Sequence, residues 1–289
     1  MKTLYLLTAL LFAAGQAQAV LVHGHRGTRG TAPENTLAAF EEALKAGVDV
    51  LEFDMGVTKD NVVMVSHEPG INPAICLGPG GKKLEKMVPF KDLTMAEVKK
   101  YDCGAIQNPR FPRQFPVPGA RIPTLDEVFR MVANSKLPAA GTVQFNIETK
   151  IFPADPSLTP SPEKFAELVA TQVRKHGMQK RVILQSFDHR TLKAMKKIEP
   201  AIRTSQLTYE ELLDFVPSLM ADKTDIWSPY YEWITADAVK AAQKAGIEVA
   251  PWTLNDRAAW ELAVAAGVNA IITDYPADLI AFLKEKGVR

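Results

Sequence analysis

The run Val48-Asp49-Val50-Leu51-Glu52-Phe53-Asp54-Met55-Gly56-Val57 decides how this chain is read. Its apolar residues mark a β-strand over 48–57, yet carboxylates interrupt it, two of them, Glu52 and Asp54, in its middle. Glu52 and Asp54 are two residues apart and so share one face of a strand, while Leu51, Phe53 and Met55 suit the other. On the inner face of a covered sheet, two carboxylates repel each other and lose their hydration. A divalent cation relieves both penalties. Glu148 ends a separate strand candidate, 143–148, and is the third acid able to join such a site. Three carboxylates plus water suit a hard cation, Ca²⁺ or Mg²⁺. The competing reading is surface acids on an edge strand; the apolar runs flanking each acid argue against it.

Outward from this run, strand and helix patterns alternate. Strand candidates cover 21–25, 48–57, 62–66, 143–148, 182–186, 202–207, 225–228, 247–253 and 270–273. Helical spacing predicts helices over 36–46, 124–132, 162–176, 189–197, 235–245, 257–266 and 276–286. Such alternation implies a parallel sheet covered by helices. Nine strands exceed the eight of a closed α/β barrel, a fold that typically needs about 250 residues. The short turn at 59–61 reads as a hairpin, so one strand is peripheral or the hairpin distorts the barrel. Residues 68–120 break the pattern: they hold eight of the 20 prolines and both cysteines, with one short helix near 94–100. They read as an inserted lobe or long loop overhanging the site. Cys76 and Cys103 either form one disulfide there or stay as free thiols.

The remaining polar residues gather at strand ends. His25 and His67 each end a strand, and two imidazoles can remove a proton from an attacking oxygen and deliver one to a leaving alkoxide. Arg26 and Lys150 suit a phosphate, or pair internally with Glu52 or Glu148, and both readings can hold in turn. Trp252 is either core packing or an apolar wall against a substrate. His23 lies one layer below His25 and reads as structural, as do His176 near a helix end and His189 at a helix start. For Pro33 to Thr36 the expectation is a helix start capped by Asn35 or Thr36.

Composition sets limits. The chain has 289 residues with 34 Lys and Arg against 33 Asp and Glu, a net charge of +1. No basic run points to nucleic acid. Lys2, an apolar stretch over 4–14 and the small residues at 17–19 predict a signal peptide of residues 1–19, too short to span a bilayer. The expected product is one domain, 20–289, in the periplasm or outside the cell, without stable membrane insertion.

Several motifs then match a known family in order. They are His25-Arg26-Gly27, Ala32-Pro33-Glu34-Asn35-Thr36, Leu51-Glu52-Phe53-Asp54 and the stretch ending at His67. Asn146-Ile147-Glu148-Thr149-Lys150, Pro251-Trp252-Thr253-Leu254-Asn255 and Ile271-Ile272-Thr273-Asp274-Tyr275-Pro276 follow. The chain resembles the glycerophosphodiester phosphodiesterases over essentially its whole length after residue 19. The resemblance implies a TIM-type (β/α)8 barrel of the phospholipase-C kind, somewhat distorted, with its insertion near a glycerol pocket. It implies His25 and His67 as the acid–base pair, Glu52, Asp54 and Glu148 as metal ligands, and Arg26 and Lys150 as phosphate contacts. The expected reaction is metal-dependent hydrolysis of glycerophosphodiesters to glycerol 3-phosphate and an alcohol, with water or the substrate's own glycerol hydroxyl attacking. Two alternatives stand beside it. One is a lysophospholipase D acting on lysophospholipids; the other is a periplasmic phosphodiester-binding protein without turnover, against which the two histidines argue.

Overall fold

A computed structural model describes residues 19–210 and 214–289. The expected signal peptide, up to residue 18, lies outside the described residues. Eight parallel strands lie side by side in chain order: β1 (Leu21–Gly24), β2 (Val50–Val57), then β4 (Gln144–Thr149), β5 (Val182–Ser186), β6 (Arg203–Thr208), β7 (Ile226–Pro229), β8 (Glu248–Val249) and β9 (Ala270–Thr273). β9 returns to pair with β1. Backbone bonds from Asn269 N to Val249 O and from Ile272 N to Pro251 O, both 3.0 Å, join β8 to β9. The ring is therefore a TIM-type barrel. β3 (Val63–Val65) stands off the ring and runs antiparallel to the end of β2, with Met55 opposite Val65. The ninth strand candidate is thus the outer arm of the hairpin.

The strands read as apolar runs because both faces are covered; every residue of β2 is buried. Helices pack outside. In α1 (Leu37–Ala46), Thr36 caps the first turn by accepting from Ala39 N, and Gly47 ends the helix in the left-handed region. Ala39, Phe40, Ala43 and Leu44 form its buried stripe. α2 (Leu125–Asn134) starts on a reciprocal cap between Thr124 and Glu127. α3 (Pro162–Lys175), α4 (His189–Ile198), α5 (Phe215–Ala221), α6 (Ala236–Lys244), α7 (Arg257–Ala266) and α8 (Pro276–Glu285) follow.

Two elements differ from the sequence expectation. The strand expected over 247–253 is regular only at Glu248–Val249, since Pro251 has no N–H to give the ladder. Pairing continues irregularly on either side, from Ala250 N to Trp227 O and from Trp252 N to Pro229 O. α5 was not expected at all: its N-cap, Asp214, makes no side-chain cap bond, and Pro217 sits within its seven residues.

Between β3 and α2 the chain builds a small lobe. Gly70–Ile71 pairs with Val88–Pro89, Leu77–Gly78 pairs with Lys82–Lys83, and Met95–Val98 forms one helical turn. Ile71, Cys76, Phe90, Val98, Cys103 and Ile122 share an apolar cluster distinct from the barrel core. A Cys76–Cys103 disulfide, with an S–S length of 2.08 Å, ties the lobe together.

Candidate active site

The carboxyl ends of the strands open into a cavity of about 450 Å³ lined by His25, Arg26, Glu52, Asp54, His67, Glu148, Lys150 and Trp252, among others. All eight site residues expected from the sequence therefore meet at one mouth. Register explains the acids. Asp54 lies opposite Glu148 and Glu52 opposite Asn146 on the neighbouring strand. Side chains of Glu52, Asp54 and Glu148 offer oxygens that all lie within 4.8 Å of one another.

Each carboxylate is fixed by its surroundings. Glu52 accepts from Gln185 Nε2 at 2.6 Å and from the Arg26 backbone N–H at 2.9 Å. Asp54 Oδ2 accepts from Asn35 Nδ2 at 3.0 Å and lies 3.2 Å from Arg26 Nε. Glu148 Oε1 pairs with Lys150 Nζ at 2.9 Å. Burial, with Asp54 beside it, pushes the Glu52 carboxyl well above its ordinary range. Burial also raises Glu148. It pushes Asp54 up as well, but the charges of Arg26 and Lys150 outweigh it and hold Asp54 low. Asp54 Oδ1 is buried and has no hydrogen-bond partner. An orphaned acceptor beside two crowded carboxylates is a poor arrangement for protein alone, and it fits a hard divalent cation.

The His25 loop needs unusual backbone. Arg26 has φ 51° and Gly27 φ 85°. A Cβ on Gly27 would come within 2.7 Å of the Ala39 backbone, so only glycine allows α1 to pack so close. This turn aims the Arg26 N–H at Glu52. The Arg26 guanidinium pairs with Glu34 at 2.6 Å as well as with Asp54. Its internal partners are thus Glu34 and Asp54, where Glu52 or Glu148 was expected; the Glu52 contact goes through its backbone.

His25 Nδ1 lies 2.6 Å from Asp274 Oδ1. Burial, reinforced by the nearby Arg29 charge, lowers His25 to about 4, so the ring is neutral at physiological pH. Burial raises Asp274, but His25 and Arg29 outweigh it and hold it ionised. A carboxylate can only accept, so His25 Nδ1 carries the proton and Nε2 presents a lone pair, 3.9 Å from Glu52 Oε2. Arg29 clamps both oxygens of Asp274, at 2.8 and 2.9 Å, and Asn255 Nδ2 donates to it at 2.7 Å. On the other side of the triad, the Lys150 ammonium donates to His67 Nε2 at 3.1 Å, leaving Nδ1 to donate to Glu68 at 2.9 Å.

The remaining histidines lie elsewhere. His23 is buried beneath the site, contacts Asn146, and is lowered by burial to about 3. His176 caps α3 and bonds Asp126, and His189 opens α4. Asp274, Arg29 and Gln185 were not picked out as site residues from the sequence. Asp274 follows the last strand, in the same pattern as the other acids, and stands within the matching run Ile271 to Pro276. Arg110 of the lobe also lines the cavity, with nothing in its neighbourhood of sequence to mark it.

Comparison with known proteins agrees with this geometry. A model of the glycerophosphoryl diester phosphodiesterase family matches residues 25–278. A glycerophosphodiester phosphodiesterase of Caldanaerobacter subterraneus is 32% identical over 92% of this chain and 99% of its own. Human lysophospholipase D GDPD1 is 27% identical, over 90% and 84% of the two chains. A crystal structure from Silicibacter pomeroyi is similar with a TM-score of 0.88 and 28% identity, over 94% of this chain and 96% of that one. An Oleispira antarctica phosphodiesterase, solved with the product sn-glycerol-3-phosphate, shares the fold at a TM-score of 0.76 and 20% identity, over 92% and 97%. From strand order, site and sequence together, the chain belongs to the glycerophosphoryl diester phosphodiesterase family.

Proposed function

We propose that the chain hydrolyses glycerophosphodiesters to glycerol 3-phosphate and an alcohol, using a divalent cation held by Glu52, Asp54 and Glu148 and proton transfer by His25 and His67. One observation carries the reading: two imidazoles flank a buried carboxylate triad that contains an unpartnered oxygen. When bound, Ca²⁺ or Mg²⁺ supplies charge for the phosphate and polarises the attacking hydroxyl. His25 acts as base, since Asp274 holds the proton on Nδ1 and leaves Nε2 free to take one from that hydroxyl. His67 acts as the acid in its doubly protonated form, in which Nε2 carries the proton that goes to the leaving alkoxide, Glu68 holds Nδ1–H, and Lys150 turns from Nε2 to Glu148 and the phosphate. Arg26 and Lys150 offset the phosphate charge, and Trp252 forms a wall of the cavity. The Oleispira structure with its bound glycerol 3-phosphate supports this product.

The test is turnover of glycerophosphocholine before and after chelation, with Ca²⁺ or Mg²⁺ restored. Activity that survives chelation removes the cation from the reading. Undiminished turnover by His25→Ala or His67→Ala removes the proton transfers. Rates on lysophosphatidylcholine against glycerophosphocholine decide the lysophospholipase D alternative. Export is read by N-terminal sequencing of the processed protein: cleavage after Ala19 leaves Val20 first, and an intact Met1 on exported protein contradicts it.

A further inference from the structure

The barrel mouth has two chemically different halves. Acids, histidines and cations lie on or just past β1, β2, β3 and β4. On three of the next four strands the residue just past the carboxyl end is aromatic, Phe187 after β5, Tyr209 after β6 and Tyr230 after β7, and on the fourth Trp252 lies three residues past β8. Their rings form one array. Tyr209 stacks on Tyr230 at 5.0 Å, and Trp252 lies 5.4 Å from both Tyr230 and Phe187 and 6.0 Å from Tyr209. Phe187, Tyr230 and Trp252 line the same cavity as the acid triad. Phe187 is 43% and Tyr209 60% exposed, a level at which large aromatics leave usable ring faces in water.

One of the donors in this half is already committed. The Trp252 indole N–H already donates to Ser228 O at 2.9 Å. What this half presents most is ring surface. Acids stand near it: Glu232 lies 3.5 Å from the Tyr230 hydroxyl, and Asp256 lines the cavity. Lys150 Nζ, at the boundary between halves, lies 5.8 Å from the Phe187 ring centroid, so one of these faces already meets a cation.

We infer that this aromatic collar is a subsite for a quaternary ammonium head group on the alcohol side of the diester. The inference rests on the hydrolase reading above and adds a preference to it. An anionic phosphate on the polar half and a cation on the ring faces make a zwitterionic diester complementary to both halves at once.

The test compares kcat/KM for glycerophosphocholine with that for its neutral neohexyl isostere, in which carbon replaces nitrogen. The wild-type enzyme should favour the cation by about fivefold to thirtyfold. Tyr209→Leu and Tyr230→Leu keep apolar bulk but lose ring faces, and each should bring the ratio towards one. The ratio is internal to each enzyme, so a general loss of turnover cancels. A wild-type ratio of one or less, or a preference that survives both substitutions, overturns the subsite. If neither ester is hydrolysed, the hydrolase reading fails instead. Calorimetry with tetramethylammonium then decides the collar: binding weakened by Tyr230→Leu upholds it, and no binding by wild-type protein overturns it.

Discussion

Asp274 lies against His25 and sets which of its ring nitrogens carries the proton. It fixes the His25 tautomer, and Arg29 and Asn255 fix Asp274 in turn. Asp274→Asn removes the charge that steadies a protonated His25, so kcat should fall by about 100-fold or more while KM moves far less. Steady-state rates nearly equal to wild type would remove Asp274 from the positioning role. The pH dependence has a definite sign. The folded value of Asp274 is depressed, so its contribution to stability is full above the ordinary carboxylate range and fades as pH falls through the depressed value. The difference in Tm between wild type and Asp274→Asn should therefore narrow in acid. Gln185 is the parallel case beside the acids. It orients Glu52 through a 2.6 Å bond, and Gln185→Leu should weaken cation affinity by about 10- to 100-fold, as loss of an outer partner does at metal sites. Titration calorimetry reads this directly. Sequence reasoning could find Glu52, Asp54 and Glu148 because an acid within an apolar run is conspicuous. Gln185 within β5 carries no such signal, and its role depends on which residue the next strand but one brings opposite.

Strands and helices were legible where period and caps agreed. β2 and α1 show this, with an apolar run in one and a Thr36 cap and Gly47 stop in the other. β8 fell short of expectation because composition still reads as strand where Pro251 interrupts the ladder. α5 was invisible because Asp214 starts it without a side-chain bond. The lobe was legible as an interruption and not as a structure: its ladders are two residues long, below any periodicity. Its integrity depends on Cys76–Cys103, which are 27 residues apart in sequence. In the chain-entropy view a loop of that size is stabilised by about 3 to 4 kcal/mol. Cys76→Ser with Cys103→Ser should lower Tm and open the lobe to protease first, as should reduction of the wild-type protein. Unchanged melting and cleavage would show that the small apolar cluster holds the lobe unaided.

For the molecule as a whole, parallel alternation implied a barrel, but which side chains meet was set by closure. His25 and Asp274 are 249 residues apart and touch because β9 returns to β1. No local pattern carries that contact. Closure also concentrates charge that the net value of +1 conceals: three buried acids face Arg26, Arg29 and Lys150 in one cavity. Folding without a cation must tolerate carboxylates raised by burial and an oxygen with no partner. A cation bound only by the folded state stabilises it by mass action, by about 2.7 kcal/mol when present at 100 times its Kd. For a domain of this size that is a rise in Tm of about 5 to 10 °C over chelated protein. The rise should grow with the logarithm of Ca²⁺ or Mg²⁺ concentration. Na⁺ at equal ionic strength should not reproduce it, which separates a bound ion from general screening. Glu148→Gln should flatten the response. Equal melting in chelator and in saturating divalent cation would mean that the triad holds no ion, and that Lys150 and Arg26 alone balance its charge.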